Sequence, residues 1–430
     1  MEAKLREEKL KELTKNEPYA SKEMTYKNRT EKRAVYEISV DYLVFNQYNG
    51  RIGTYVKTHE KQYGPIDPST KQGEKIIVDF LWESKKKRNK ETEKDIKDKG
   101  QLEYGIVTRD GVVIDGNRRC MILKRLAKDK DKQLTCPTYF KAVILDDTLE
   151  SNPKEIRKLE TIYQMGVDEK VDYNAIEKYL KCQDLISDGF KPDDIGKMMG
   201  EKGTKIKEYL EILGLMEDYL KFYGYEGMYT VLDEQTVEGP FVDLRGYLEK
   251  QSSGRGIRGR DWGPDTVDID DLKQIYFDYI RAGFRTAHNI RDIGNPSKGQ
   301  GFFNHKHIWK EFKDRYHKEI DPFNDEELKL ESLRQGAKGE KINNIIDARD
   351  KDWSGKVSEL MKENIGRTKR SLEDHNEANS PVELLNRAKK TLEAVDPKIE
   401  AFYGKEIKQL SHDIRKIVEN FIDIVRKKEK

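Results

Sequence analysis

The sequence predicts an α+β protein in which a small α/β domain is followed by a mostly α-helical remainder with a helix-turn-helix. Three observations carry that expectation. Residues 36–45, Tyr-Glu-Ile-Ser-Val-Asp-Tyr-Leu-Val-Phe, alternate in polarity and are rich in β-branched and aromatic types, the pattern of a half-buried strand. Two short apolar runs between Gly105 and Ile114 are hinged at Asp110-Gly111, the local signature of a tight hairpin. Beyond Pro153 the apolar spacing becomes helical almost throughout.

Taken in order, residues 1–33 mix Lys and Glu at helical spacings and read as a charged arm or solvated helix. Residues 34–150 form the α/β domain. Within it, Ile76, Ile77, Phe80 and Leu81 make a helical stripe and Lys85 to Lys90 a basic run, read first as solvated helix surface and second as a phosphate contact. A helix is expected over about 118–127 and a strand over 139–145. Residues 151–250 form a helical domain, 251–370 a helical domain of unknown role and 371–430 a C-terminal helical hairpin broken near Pro397. The segment 254–263, with four glycines and three arginines, reads as a loop.

Composition excludes some classes. Charged residues make up 38%, yet Lys+Arg 82 against Asp+Glu 80 leaves a net charge of only +2, so a nucleic-acid footprint has to be local. Apolar content of 35% with periodicity favours a folded chain over a disordered one. Cys120, Cys136 and Cys182 are odd in number and lack the spacing of a zinc site, which fits a reducing cytoplasm. No apolar run approaches the roughly 20 residues that span a bilayer, so no membrane partner is expected.

The sharpest chemical feature is Asp115-Gly116-Asn117-Arg118-Arg119, between an apolar strand and a helix. Gly116 permits close backbone approach, the first helical N–H groups favour an anion, and two arginines add forked donors suited to phosphate. The plain alternative is a turn with an Asp cap and two surface arginines. His305 and His307 could hold a metal from one side of a strand, but read more simply as packing or surface residues. Arg255, Arg258 and Arg260, ahead of Trp262, read as a charged loop in preference to a nucleic-acid wrap.

Several motifs occur together in an order that resembles the ParB N-terminal (ParB/sulfiredoxin-fold) family. Asn46-Gln47-Tyr48-Asn49-Gly50-Arg51 is similar to that family's Asn-Pro-Tyr-Gln-Pro-Arg opening without its prolines, and keeps Arg51. The segment from Gly100-Gln101 to Thr108-Arg109 resembles the one that lies along the nucleotide in CTP-binding members. Gly116-Asn117-Arg118-Arg119 matches the Gly-x-Arg-Arg phosphate motif residue for residue. Glu160-Thr161-Ile162-Tyr163-Gln164 stands where the family has Glu-Asn-x-x-Arg, keeping the acid but losing Asn and Arg.

The resemblance implies CTP or another nucleoside triphosphate with Mg²⁺, bound through Gln101, Arg109, Gly116, Asn117, Arg118, Arg119, Thr161 and Gln164. It implies Glu160 as metal ligand, and Glu160 with Asp115 as catalytic groups of a CTPase-like reaction weakened by the lost motif residues. Asp172-Tyr173-Asn174-Ala175-Ile176-Glu177 is similar to the helix opening that precedes the family's helix-turn-helix. There, a short helix from Pro192 to Gly200 leads to a second helix from Thr204, with Ile206, Leu210 and Leu213 inward. Lys202, Thr204, Lys205 and Lys207, with Arg51, are the expected contacts to duplex DNA. Lysines and a threonine favour phosphate over base contacts. The expected function is a nucleotide-responsive DNA-binding protein, active as a homodimer through its C-terminal segment. The alternatives are a ParB-fold phosphotransferase or nuclease, or an adaptor of a bacterial defence (phage defence) or mobile-element system with a protein partner on its helical half.

Overall fold

The computed structural model describes residues 1–128, 139–166, 174–235, 237–253, 257, 260–284, 287–297, 300–325, 329–336, 341–378, 381–398 and 400–428. Residues Met1–Glu363 make one compact unit and Asn364–Lys430 a second. Cys136, Asp172, Tyr173, Arg255 and Arg258 lie outside the described residues.

The first unit opens with an α+β region around a six-stranded mixed sheet. Its strands are β1 (Ala20–Tyr26), β2 (Arg29–Ser39), β3 (Val44–Phe45), β4 (Gly105–Val107), β5 (Val112–Asp115) and β6 (Tyr139–Ile144), in spatial order β1-β2-β6-β4-β5-β3. The pairs β1–β2, β2–β6 and β4–β5 are antiparallel, and β6–β4 and β5–β3 parallel. The hairpin expected at Asp110-Gly111 is β4–β5.

Residues 1–33 are not a tail. Helix α1 (Ala3–Leu13) buries Leu10 completely, and the buried Arg6 donates from Nε to the Asp110 carbonyl at 2.8 Å. The β1–β2 hairpin turns at Lys27 and Asn28, both at positive φ (50° and 59°), as a two-residue hairpin turn requires. Met24, Tyr26 and Val35 join a core with Ile156 and Leu159, while the charged side chains of the hairpin stay largely on its wet face. The opposite face of the sheet holds Leu10, Ile38, Phe45, Ile77, Leu81, Cys120 and Phe140.

Around the sheet lie α2 (Gly53–Tyr63), α3 (Lys71–Ser84), α4 (Lys86–Lys99), α5 (Asn117–Lys128) and α6 (Pro153–Met165). The chain is then helical: α7 (Ala175–Ser187), α8 (Pro192–Met199), α9 (Gly203–Phe222), α10 (Tyr229–Gln235), α11 (Glu238–Ser252), α12 (Thr266–Arg281), α13 (Ala287–Gly294), α14 (Lys306–Glu319), α15 (Asp321–Asp325), α16 (Leu330–Gly336) and α17 (Ile342–Ala378). Among the described residues, no helix is long and apolar enough to cross a membrane.

Buried charge organises the later helices of the first unit. Arg281 Nε pairs with Asp350 Oδ1 at 2.7 Å, and its guanidinium stacks over Tyr223 and Trp353. Asp278 accepts from the Tyr223 and Tyr316 hydroxyls and from Asn324, and burial pushes its carboxyl above the usual range despite those donors. The Cys120 and Cys182 thiols are buried and pushed up to about 12, so neither is a nucleophile at neutral pH. His305 and His307 do not share a strand. His305 precedes α14 with Nδ1 3.2 Å from Asp261, and His307 is exposed on the first turn.

The second unit contains the end of α17 with α18 (Pro381–Glu393) and α19 (Lys405–Lys428). Both late helices fall where the periodicity puts them, but they do not close on each other as an apolar hairpin: Leu385, Leu392, Leu410 and Ile417 are all exposed.

Leu10→Ala tests the N-terminal packing. A structural α1 predicts a loss of about 2–5 kcal/mol in denaturant unfolding, whereas a solvated arm predicts none.

Candidate functional site

The strand-to-helix turn after β5 is the centre of a cleft of about 210 Å³ in the first unit. Gly116 has φ +92° and carries the chain from Asp115 into α5, whose first turn closes with Cys120 N–H donating to the Gly116 carbonyl at 2.9 Å. A Cβ on Gly116 would sit 2.9 Å from Phe140 Cζ and 3.1 Å from Arg119 Nη2, so only glycine fits. The N–H groups of the first helical turn have no intrahelical acceptors and add positive dipole at this point.

Three elements bring arginines to the cleft. Arg118 and Arg119 come from α5, Arg88 from α4, and Arg51 from the 3-10 turn Gly50–Ile52, which the Asn49 side chain caps by accepting from Arg51 N–H at 3.1 Å. Asp115 is the one carboxylate among the described lining residues, and its Oδ2 takes Arg119 Nη2 at 3.1 Å. Arg119 Nε is buried without a hydrogen-bond partner. The described lining thus carries four guanidinium groups and one carboxylate. The volume of the cleft suits phosphate groups; sites that enclose a whole small molecule span about 300–1,000 Å³.

Behind the turn lies a buried polar network. Glu160, on α6 and 1% exposed, accepts at Oε1 from Asn46 Nδ2 (3.0 Å) and Gln164 Nε2 (3.2 Å). Its Oε2 pairs with Lys181 Nζ of α7 at 2.8 Å, itself 2% exposed. Gln164 also donates to the Ile114 carbonyl at 3.2 Å, and Asn117 donates to the Val113 carbonyl at 3.0 Å while accepting from Asn46 N–H.

Several expected roles change here. Both Glu160 oxygens are taken, so Glu160 is a buried structural anion; as a metal ligand it would have to displace Lys181. Asp115 Oδ2 is turned to Arg119, away from the buried Glu160 network. The expected catalytic pair is thus split between a buried ion pair and a cleft-lining salt bridge. Thr161 is fully buried and donates to the Arg157 carbonyl at 2.8 Å. Gln101 acts as a sheet extension: its amide donates to the Lys141 and Glu103 carbonyls, and its oxygen accepts from Lys141 N–H, all at 2.8 Å. Arg109 sits in the β4–β5 turn, at the far end of β5 from Gly116, paired with Glu7 at 3.0 Å. Arg51 lines the cleft with Arg118 and Arg119. Gly116, Asn117, Arg118, Arg119 and Gln164 are brought together as expected. Arg88, from the basic run 85–90 whose first reading is solvated surface and whose second is a phosphate contact, lines the cleft.

The segment expected to carry the helix-turn-helix folds as α8 and α9, two consecutive helices that pack on each other. Gly196 lets the chain pass close, since a Cβ there would lie 2.6 Å from the Glu201 carbonyl oxygen. Ile206, Tyr209 and Leu213 face inward, Tyr209 taking the place expected for Leu210, which is half-buried. Lys202, Thr204, Lys205 and Lys207 are exposed. The face also carries acids: Lys205 pairs with Glu208, Lys178 with Glu201 at 2.8 Å, and Arg245 with Glu211 at 2.7 Å. It is a mixed-charge surface, not a basic patch.

No family model, curated protein or solved structure matches this chain.

Two substitutions test this geometry. Gly116→Ala is expected to lower stability by about 1–3 kcal/mol through strain at positive φ and the Phe140 clash, read by thermal or denaturant unfolding. Lys181→Met leaves Glu160 buried without its cation and is expected to cost about 3–5 kcal/mol, with Glu160→Gln/Lys181→Met recovering part of that loss in a double-mutant cycle.

Proposed function

We propose that this chain is a nucleotide-responsive DNA-binding protein in which the phosphates of CTP or another nucleoside triphosphate seat at the Gly116 turn and α8–α9 contact duplex DNA. The observation that carries the reading is the convergence of Arg51, Arg88, Arg118 and Arg119, from three separate elements, on the N-terminus of α5. Guanidinium groups gathered around a glycine turn at a helix N-terminus suit an anion that can take several forked donors at once.

The coupling route is physical. Gln164 lines the cleft and bonds Glu160, Glu160 holds Lys181 on α7, and α7 packs against α9. An anion at the turn that binds more tightly with one placement of α7 than another changes DNA affinity reciprocally. Magnesium would arrive with the nucleotide. Among the described residues the cleft is lined by one carboxylate, Asp115, not by a pair suited to proton transfer, which favours binding over phosphotransferase or nuclease chemistry. The mixed charge of the α9 face favours modest, salt-sensitive DNA contact through Lys202, Thr204, Lys205 and Lys207. That same mixed surface is the observation in favour of the second reading, an adaptor whose helical part holds a protein.

Titration with labelled CTP, ATP and GTP, each with Mg²⁺ and with or without duplex DNA, tests the proposal. Saturable binding is expected, weakened about tenfold or more by Arg118→Ala/Arg119→Ala and strengthened by DNA. Absence of binding to all three nucleotides would reject the switch and leave the adaptor reading.

A further inference from the structure

The Gly116 cleft is built for phosphate and offers little to a base. Among its described lining residues there is no aromatic ring, and Leu81 is the one aliphatic side chain, so no apolar slot encloses a nucleobase. The cationic lining also continues past the cleft. Arg88 is shared with a shallow depression over the first turn of α4, whose other described lining residues are Lys85, Lys86, Lys87 and Glu91. The bend between α3 and α4 that presents these lysines is fixed from inside: Asn89 is fully buried, and its Nδ2 donates to the Leu81 and Trp82 carbonyls at 2.8 and 2.7 Å. Lys86 lies 3.1 Å from Glu83 in an exposed pair, which is worth little in water and exchanges easily for another anion.

We propose that the cleft and this basic strip together hold the phosphorylated end of a single nucleic-acid strand, with the terminal phosphate at the Gly116 turn and the following phosphodiesters along Lys85, Lys86 and Lys87. A terminal phosphate monoester carries about 1.5 to 2 negative charges near neutral pH and three strong acceptor oxygens, as a phosphorylated side chain does. Converging guanidinium forks suit that group, whereas the point charges of lysines suit the singly charged diesters of a passing backbone. A free nucleoside triphosphate concentrates its charge in the cleft; a strand carries charge on, phosphate after phosphate, where the protein carries on its cations. The cleft, about 210 Å³, admits one chain end and not two paired backbones. The proposal rests on the phosphate-site reading of the Gly116 turn and goes beyond it in the ligand.

The test is the affinity of the full chain for an internally labelled, single-stranded oligothymidylate of about twelve nucleotides carrying a 5′-phosphate, a 3′-phosphate or neither, with CTP binding followed in parallel. At least one phosphorylated form is expected to bind about tenfold tighter than the unphosphorylated strand, and a preference between the two gives the direction of the strand. Arg118→Ala/Arg119→Ala is expected to abolish that difference. Lys85→Glu/Lys87→Glu, on the outer strip, is expected to weaken all three strands about tenfold and CTP less. Equal affinity for the three strands, or a preference that survives Arg118→Ala/Arg119→Ala, overturns the strand-end site. Strand affinity indifferent to Lys85→Glu/Lys87→Glu overturns the path along α4. CTP bound without any preference among the strands overturns the strand end alone, and a strand-end preference without CTP binding overturns the nucleotide reading alone.

Discussion

The carboxylate of Glu160 is the constraint on which the first unit's organisation turns. An unpaired carboxylate at this depth would carry a desolvation penalty of several kcal/mol, so its donors have to be held in place. They come from three parts of the chain: Asn46 after β3, Gln164 one turn along α6, and Lys181 on α7. Satisfying one buried anion therefore fixes the sheet edge, α6 and α7 against one another. Removing Lys181 takes away the counter-charge and leaves Glu160 with two neutral donors in a medium that solvates charge poorly.

The same network aims the cleft. Gln164 donates to the Ile114 carbonyl two residues before Gly116, and Asn117 grips the Val113 carbonyl from the first turn of α5. The strand end and helix start are thus held from behind while their N–H groups and arginines face outward. Rigidity behind and cationic groups in front is the arrangement that pre-organises a phosphate site, since little conformational freedom remains to be lost on binding. Arg119 illustrates the balance: its Nη2 is engaged by Asp115, which limits repulsion among the arginines, while its Nε is buried and unpartnered.

Much of this was legible in the sequence, for reasons that differ by residue. The β4–β5 hairpin and the turn at Gly116 are local events, set by Asp110-Gly111 and by a strand meeting a helix, and local signals suffice for them. Strand β1 and the first part of β2 escaped because their exposed face is so rich in Lys, Glu and Arg that charge density masked the apolar positions Met24, Tyr26 and Val35. Gln101, Arg109, Thr161 and Glu160 carry side chains whose chemistry suits a ligand or a fold equally. Which one they serve depends on partners far away in the chain, such as Lys141, Glu7 and Lys181, that no spacing announces. Arg88 shows the converse: a basic run that reads as solvated surface gains its place only when α4 packs beside α5.

The central claim is that Arg51, Arg88 and the Gly116 turn form one phosphate site. Hydrogen–deuterium exchange with and without CTP and Mg²⁺ tests it directly, because it reports on all three segments in one experiment without altering any of them. The account predicts that saturating CTP slows exchange together in peptides covering residues 46–54, 86–92 and 115–121. Unchanged exchange in all three, or protection confined to segments elsewhere in the chain, would contradict it.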